Sequence, residues 1–518
     1  MWIGDWAKGH AGGYGTDESD WRGQYDIWDH KAGMIAEKTE WSVDPATGMG
    51  TIVYTIRQGV YWSLNPISEA SKKVGGRQMD ADDVVYYLNR EVTDERSYLW
   101  RSNMPLREAV IEKTGPWEVS LTVPQETLIT AIFRLGDVAK IGPRELADSN
   151  LSDWRDTSFG TGPYMTTDYV PASAVTMVRN DNYWETNPVG PGKGDQLPYI
   201  DNVKMLIILD ASTRMAAMRT GKIDRNIYDL DDAILARKEN PELLEEVGGP
   251  SMALGSPESI DLPGDVPEFS DVRVRRALWM ATDLNAINEG LYDGLGILES
   301  WPFTGVRGYD KLRIKYDDPD IPASVKECYD YNPEKAKALM AEAGYPDGFK
   351  TKVLTDSVAA DFWSIIKDQW SKVGVTLELD VVEWGAKQSI LNTTWYMGIT
   401  DGGMAVDSAF HTTPTLTGTP GLANTARIFD PKIDAWLENI RSIIIAEGTM
   451  AGIVEAREMV KYAQEQAYAI PVPYVWKYHM WWPWLKNYTG EESVGYFNSP
   501  NWITYTWIDQ DLKKEMGY

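Results

Sequence analysis

The sequence predicts an α/β protein of several domains, and three observations carry that reading. The chain has 518 residues, more than one hydrophobic core accommodates, so two or three domains are expected. Its composition, 43% apolar and 25% charged, is that of an ordinary folded protein. The third observation is a strand–helix–strand run. Lys352–Thr355 reads as a strand, and Phe362, Ile365, Ile366 and Val373 then follow at helical spacing up to Gly374. Beyond it Val375, Leu377, Leu379 and Val381 alternate. Segments of these lengths make a βαβ unit, which calls for parallel strands covered by helices.

The remaining elements follow in order. Residues 1–30 are rich in Gly, Trp and Asp and read as loop. Ile52, Tyr54 and Ile56 alternate within Thr51–Arg57, a half-buried strand, and Trp117–Val123 alternates in the same way. Between them Asp80–Arg90 reads as a helix. Asp80 caps it, Asp82 and Asp83 sit at its positive end, and Ala81, Val84, Val85 and Leu88 form an apolar seam. Its acidic cluster is therefore read as compensation of the helix dipole rather than as a site. Phe159-Gly-Thr-Gly-Pro-Tyr164 is glycine-rich, but no Lys-Ser/Thr follows and no helix opens there. It is a turn, not a phosphate loop.

Gly248-Gly-Pro and the run from Gly255 to Pro267 read as linkers. Phe269 to Ile287 then reads as one amphipathic helix capped by Ser270. Val274, Ala277, Leu278, Ala281, Leu284 and Ile287 lie on its buried face, with Arg273, Arg275 and Arg276 around the rest. A clearer helix follows: Asn332 caps it, Pro333 takes its first turn and Gly344 ends it. Ile433–Ile445 and Val454–Ala467 are further helices. Ala469–Trp476 is extended, and the C-terminal segment is strongly aromatic.

Composition also excludes functions. A net charge of −27, from 50 basic and 77 acidic residues, repels phosphates, so neither nucleic acid nor an anionic membrane is expected as a partner. One cysteine, Cys328, rules out an internal disulfide and a cysteine metal site. His10, His30, His411 and His479 are scattered, with no HxxxH or HExxH pair, so neither a metal nor a cofactor is expected. No apolar run approaches the roughly 20 residues of a membrane span. The start Met1-Trp2-Ile3-Gly4-Asp5 carries no basic-then-apolar leader, which suggests a mature or trimmed chain. No GxSxG elbow is present and the lone cysteine has no neighbouring histidine. A carboxylate pair for glycoside hydrolysis stays open, because sequence spacing does not report spatial distance.

Several segments, taken in order, point to a family. They are IRQGVYWS from Ile56, DADDVVYYLNR from Asp80, GTGPY from Gly160 with VRNDNYW from Val178, and LPYID from Leu197. FSDVRVRRALWMATDLNAI from Phe269, YNPEKAKALMAEAGYPDGF from Tyr331 and WWPWLKNYTG from Trp481 complete the set. Together these resemble the extracellular solute-binding proteins of family 5, the oligopeptide, dipeptide, nickel and oligosaccharide receptors of ABC importers. The likeness runs from about Gly59 to the end. It implies a type II periplasmic-binding-protein fold, two lobes with a hinge plus an extra inserted domain. Residues 1–30, 155–252 and 475–518 would form lobe I, 31–154 the inserted domain II, and 253–474 lobe III. The implied function is an extracytoplasmic, non-enzymatic receptor that captures a small peptide between closing lobes and delivers it to an ABC permease. A monomer is expected, periplasmic or held at the cell surface as a lipoprotein.

The resemblance also implies a ligand site. In peptide-binding members a tryptophan after the strand that follows the second lobe helix lines the cleft, and Trp384 in Val381-Val-Glu-Trp384 matches it. An aspartate there takes the peptide amino group by a charge-assisted hydrogen bond. Its counterpart is Asp401 in Gly398-Ile-Thr-Asp401-Gly-Gly, although Ile399 stands where the family has an aromatic residue and no Asp-Pro follows. Trp395, Trp100 and Trp476, with Tyr14 in the N-terminal loop, complete the expected ligand-binding set. Scarce histidine argues against the nickel branch. The 23 tryptophans keep an oligosaccharide as the rival ligand, since aromatic faces stack on sugars. A carbohydrate-active enzyme is the rival of another class.

Overall fold

In this computed structural model the residues described are 1–19, 27–147, 149, 151, 153–248, 259–298, 310–312, 314–393, 396–401, 427–491, 493–495 and 501–518. They fall into two units, residues 1–248 with 478–518, and residues 249–477.

In the first unit the alternation of Met49–Ile56 buries Ile52, Tyr54 and Ile56 almost completely. This strand lies inside a four-stranded antiparallel sheet, in the order Ala36–Asp44, Met49–Ile56, Glu118–Pro124, Val110–Gly115. Helix Ala81–Thr93 packs on it through Val84, Leu88 and Val92, which recur every fourth residue on one face. The Gly160 turn is pinned by two hydrogen bonds: Ser63 N donates to Gly160 O at 2.8 Å, and Gly160 N to Ser63 Oγ at 3.3 Å. The turn feeds a three-stranded antiparallel sheet of Tyr164–Val170, Ala174–Arg179 and Asn202–Leu206. Another sheet places Lys477–Trp481 between Arg225–Tyr228 and Leu244–Gly248. The C-terminal aromatics are mostly core. Trp482 stacks on Trp484 at 4.6 Å with Tyr518 leaning on both, and Trp6 stacks on Tyr505 at 4.4 Å.

The second unit is built on a five-stranded sheet in the order Thr376–Val381, Lys350–Thr355, Ile399–Asp401, Ser259–Asp261, Ala469–Pro471. The expected βαβ unit is present: Lys350–Thr355 runs parallel to Thr376–Val381, with helix Ala360–Ser371 between them. Val353, Leu377 and Ile399 from the sheet meet Phe362, Trp363, Ile366 and Trp370 from the helix in one core. Gly374 closes the crossover at φ +87°. Its carbonyl oxygen would lie 1.9 Å from a Cβ on Gly348, so that approach requires glycine. The helix from Pro333 to Glu342 forms as expected, with Asn332 Oδ1 accepting from Lys335 N and Gly344 at φ +96°.

The stretch expected as one helix from Phe269 to Ile287 is two, Val272–Met280 and Leu284–Tyr292. Each has an aspartate cap. Asp271 Oδ1 accepts from Arg273 N at 2.8 Å, and Asp283 Oδ1 accepts from Ala286 N at 2.9 Å. Ser270 is not the cap; its hydroxyl donates to Pro267 O. Asp283 favours non-helical backbone at an N-cap, and that interrupts the run. Nor does Arg275 lie on an exposed face, for it is only 3% exposed. Its guanidinium donates to Phe269 O, Ser270 O and Gln466 O, while Arg276 donates to Glu465 O. Glu465 ends helix Thr449–Glu465, where carbonyls carry partial negative charge. These two arginines tie the 272–280 helix to that end.

Candidate functional site

Strand direction gathers chemistry at one edge of the second unit's sheet. Lys350–Thr355 is parallel both to Thr376–Val381 and to Ile399–Asp401. Ser259–Asp261 is antiparallel to Ile399–Asp401 and to Ala469–Pro471, so 469–471 shares the direction of the first three strands. Four carboxyl ends therefore leave the sheet on the same side. In open α/β sheets this is the side on which ligands bind, because loops diverge there and leave a crevice.

Asp356 follows the first of these strands directly and is 3% exposed. Its Oδ2 accepts from Lys387 Nζ at 3.1 Å, and its Oδ1 accepts from Val358 N at 2.9 Å. Lys387 belongs to helix Trp384–Thr393, which starts three residues after Val381. Glu383 holds the start of that helix, accepting from Gly385 N at 2.8 Å and Ala386 N at 3.2 Å. Thr400, in register with Leu354, has a buried hydroxyl that finds no hydrogen-bond partner among the described residues. The edge thus sets an exposed indole beside a buried carboxylate–ammonium pair, and the indole can receive the apolar side of a ligand.

Three of the expected residues belong to this edge. Trp384 opens the helix beyond Thr376–Val381 and is 46% exposed. Asp401 is the last residue of its strand and pairs with Ile260. Trp476 lies five residues beyond Pro471, half-buried, edge-on to Tyr474 at 5.9 Å. Trp395 lies outside the described residues. The other two belong to the first unit. Tyr14 is exposed and lines a hollow of about 980 Å³ with Asp195, Tyr199, Lys486 and Trp507. Trp100 has one face covered by the Arg107 guanidinium, 3.5 Å from the ring centroid. Among the described residues no hydrogen bond or ring contact joins one member of the expected set to another. Asp356, Lys387 and Thr400 were not anticipated. Asp356 could have been found as the first residue after a predicted strand, and Lys387 as the cation one turn beyond Trp384.

Cys328 is buried and donates to Ser324 O, and burial pushes its thiol up to about 12. Among the described residues no cluster of His, Cys, Asp and Glu could hold a metal ion. No described helix is long and apolar enough to cross a membrane.

Residues 32–422 match the model of the bacterial extracellular solute-binding proteins, family 5 Middle. The chain belongs to this family. Family 5 members are solute-binding transport receptors rather than enzymes. Among similar proteins, heme-binding protein A of Haemophilus influenzae is 28% identical over 400 residues, covering 70% of this chain and 66% of that one. The dipeptide-binding protein of Escherichia coli is 27% identical over 375 residues, covering 68% and 63%. The alignments thus span a little under two thirds of these relatives' lengths. Among solved structures, the periplasmic binding protein DppA from Helicobacter pylori, in complex with the peptide STSA, superposes with a TM-score of 0.70 at 19% identity. That match covers 95% of this chain and 93% of the other. AppA from Bacillus subtilis, in complex with a nonapeptide, gives 0.68 at 20% identity, covering 95% and 92%. The α/β periplasmic-binding-protein fold is therefore shared. The family match takes in Trp384 and Asp401, while Tyr14 and Trp476 fall outside it.

Proposed function

We propose that this family 5 protein is an extracytoplasmic receptor that binds a small peptide and delivers it to an ABC permease. The observation that carries the reading is the sheet edge, where Trp384 lies three residues past strand 376–381 and Asp401 ends strand 399–401, both strands running parallel to 350–355. Neighbouring strands lie about 4.8 Å apart, so the ends of 376–381 and 399–401 are separated by roughly 10 Å, the length of about three extended residues. Asp401 would take the peptide ammonium through a charge-assisted hydrogen bond, and Trp384 would receive a side chain. The names of the dipeptide- and oligopeptide-binding relatives favour the same ligand class.

Within this reading residues 31–154 form an inserted domain, residues 1–30, 155–252 and 475–518 form lobe I, and 253–474 form lobe III. The receptor acts as a monomer, periplasmic or lipid-anchored. Thermal shift with di- to pentapeptides, oligosaccharides and haem tests the ligand class. Stabilisation by peptides alone is expected; stabilisation by sugars or haem alone overturns the choice. Asp401→Ala should weaken peptide binding by about tenfold or more, the scale of a charge-assisted hydrogen bond, and titration calorimetry reads it. An unchanged affinity removes Asp401 as the anchor.

A further inference from the structure

We infer that Lys387, through its buried ion pair with Asp356, is a positioning residue that fixes the helical turn presenting Trp384 at the sheet edge. Residues three apart on a helix share a face, so Lys387 stands one turn behind Trp384. The two side chains differ sharply in surroundings. Trp384 is 46% exposed, and among the described residues no ring contact holds its indole. Lys387 and Asp356 have side chains only 8% and 4% exposed. The point from which the indole projects is therefore set by the first helical turn, and two contacts help to hold that turn. Glu383 caps it from within the chain, and Asp356 grips it from the neighbouring strand end. Asp356 is itself held by Val358 N, so the anchor is not a swinging carboxylate.

Energetics argue that this pair is more than a generic stabiliser. A buried ion pair gains little or nothing over apolar side chains of the same volume, because both charges lose their hydration. What a charged pair supplies, and an apolar contact does not, is direction: Lys387 Nζ has to point at Asp356 Oδ2 for the pair to survive burial. The same geometry brings the 384–393 helix start beside the end of strand 350–355. The consequence is an exposed aromatic side chain on a fixed point of attachment, supported by groups that need not touch the ligand. This assignment rests on the peptide-receptor reading for its purpose, but the placement of Trp384 is measurable without ligand.

The experiment uses the full chain labelled with 5-fluorotryptophan, the Trp384 fluorine resonance being assigned by Trp384→Phe. In ligand-free Lys387→Met the Trp384 resonance should shift or broaden while the buried Trp363 and Trp370 resonances hold, and Lys387→Arg should restore it. With trialanine as probe, Lys387→Met should raise Kd by about tenfold or more, as losing a supporting group does elsewhere. In a Trp384→Ala background the same change should cost nothing further, since residues that act as one unit are not additive. An unmoved Trp384 resonance in folded Lys387→Met overturns the inference, as do additive losses in Kd. If Lys387→Met does not fold, Lys387→Met with Asp356→Leu replaces the pair by apolar groups. There a displaced resonance supports the positioning role and a native one refutes it. If trialanine fails to bind any form, the choice of peptide is in question, while the ligand-free resonance still decides the role of Lys387.

Discussion

Two buried carboxylates, one in each unit, show how differently an ion pair can be built. Asp83 has no exposed side-chain surface and sits among several donors. Arg77 grips it with two nitrogens at 2.7 Å each, Arg144 N donates at 3.1 Å, and Asp80 N at 3.3 Å. Both arginines also reach other acids, Arg77 bonding Glu145 and Arg144 bonding Asp80, and both keep contact with water. Asp356, by contrast, meets one ammonium, and that ammonium is as deeply buried as the carboxylate. In the first case the cations around the carboxylate are partly exposed, and in the second both charged side chains are buried. What a substitution costs depends on which charge it leaves behind, and how wet that charge is.

The sharpest break of the comparison is therefore Asp356→Ala. It takes the carboxylate from beside a buried ammonium and should lower unfolding free energy by about 3 kcal/mol. Urea titration with an unchanged slope measures this, and a loss no larger than that of Asp83→Ala would put the pair on the same footing as the network. Asp83→Ala should cost less, about 2 kcal/mol, although Asp83 makes more hydrogen bonds. Arg77 keeps Glu145 and Arg144 keeps Asp80, so no guanidinium is stranded. If Asp83→Ala proves the more damaging of the two, the number of hydrogen bonds matters more than the burial of the surviving charge.

The same contrast explains what could be read in advance. The 350–381 crossover was legible because the apolar period switches from two to 3.6 and back, and the 333–342 helix because Asn332, Pro333 and Gly344 mark both its ends. The break at Asp283 was not, since Ala281, Leu284 and Ile287 continue the apolar face across it. Arg275 also escaped, because its partners at Phe269, Ser270 and Gln466 are backbone carbonyls, one of them 191 residues away. At the site, Trp384 and Asp401 were named from the family resemblance of the segments around them, not from periodicity or spacing. The Asp356–Lys387 pair was not visible, for its members stand 31 residues apart and only tertiary burial couples them. Trp100 illustrates the converse: its aromatic face was legible, but not its occupation by Arg107.

The smallest effect tests the network at its wet rim. Arg77 holds the Glu145 carboxyl below its usual value of 4.5 by a direct hydrogen bond. A depressed folded-state pKa means the unfolded chain binds the proton first as pH falls. Glu145 therefore contributes its full stabilisation above about pH 4.5 and loses it progressively as pH drops through the lower folded value. Its side chain is 37% exposed, so solvent screens the pair and the gain should be only about 0.5 kcal/mol. Glu145→Gln should accordingly be slightly less stable than the parent near neutral pH, and the two should converge in acid. Urea titrations through that range measure the gap. A gap that persists in acid would assign the loss to packing rather than charge, and a gap as large as that of Asp83→Ala would mean the network's outer acid is as important as its buried one.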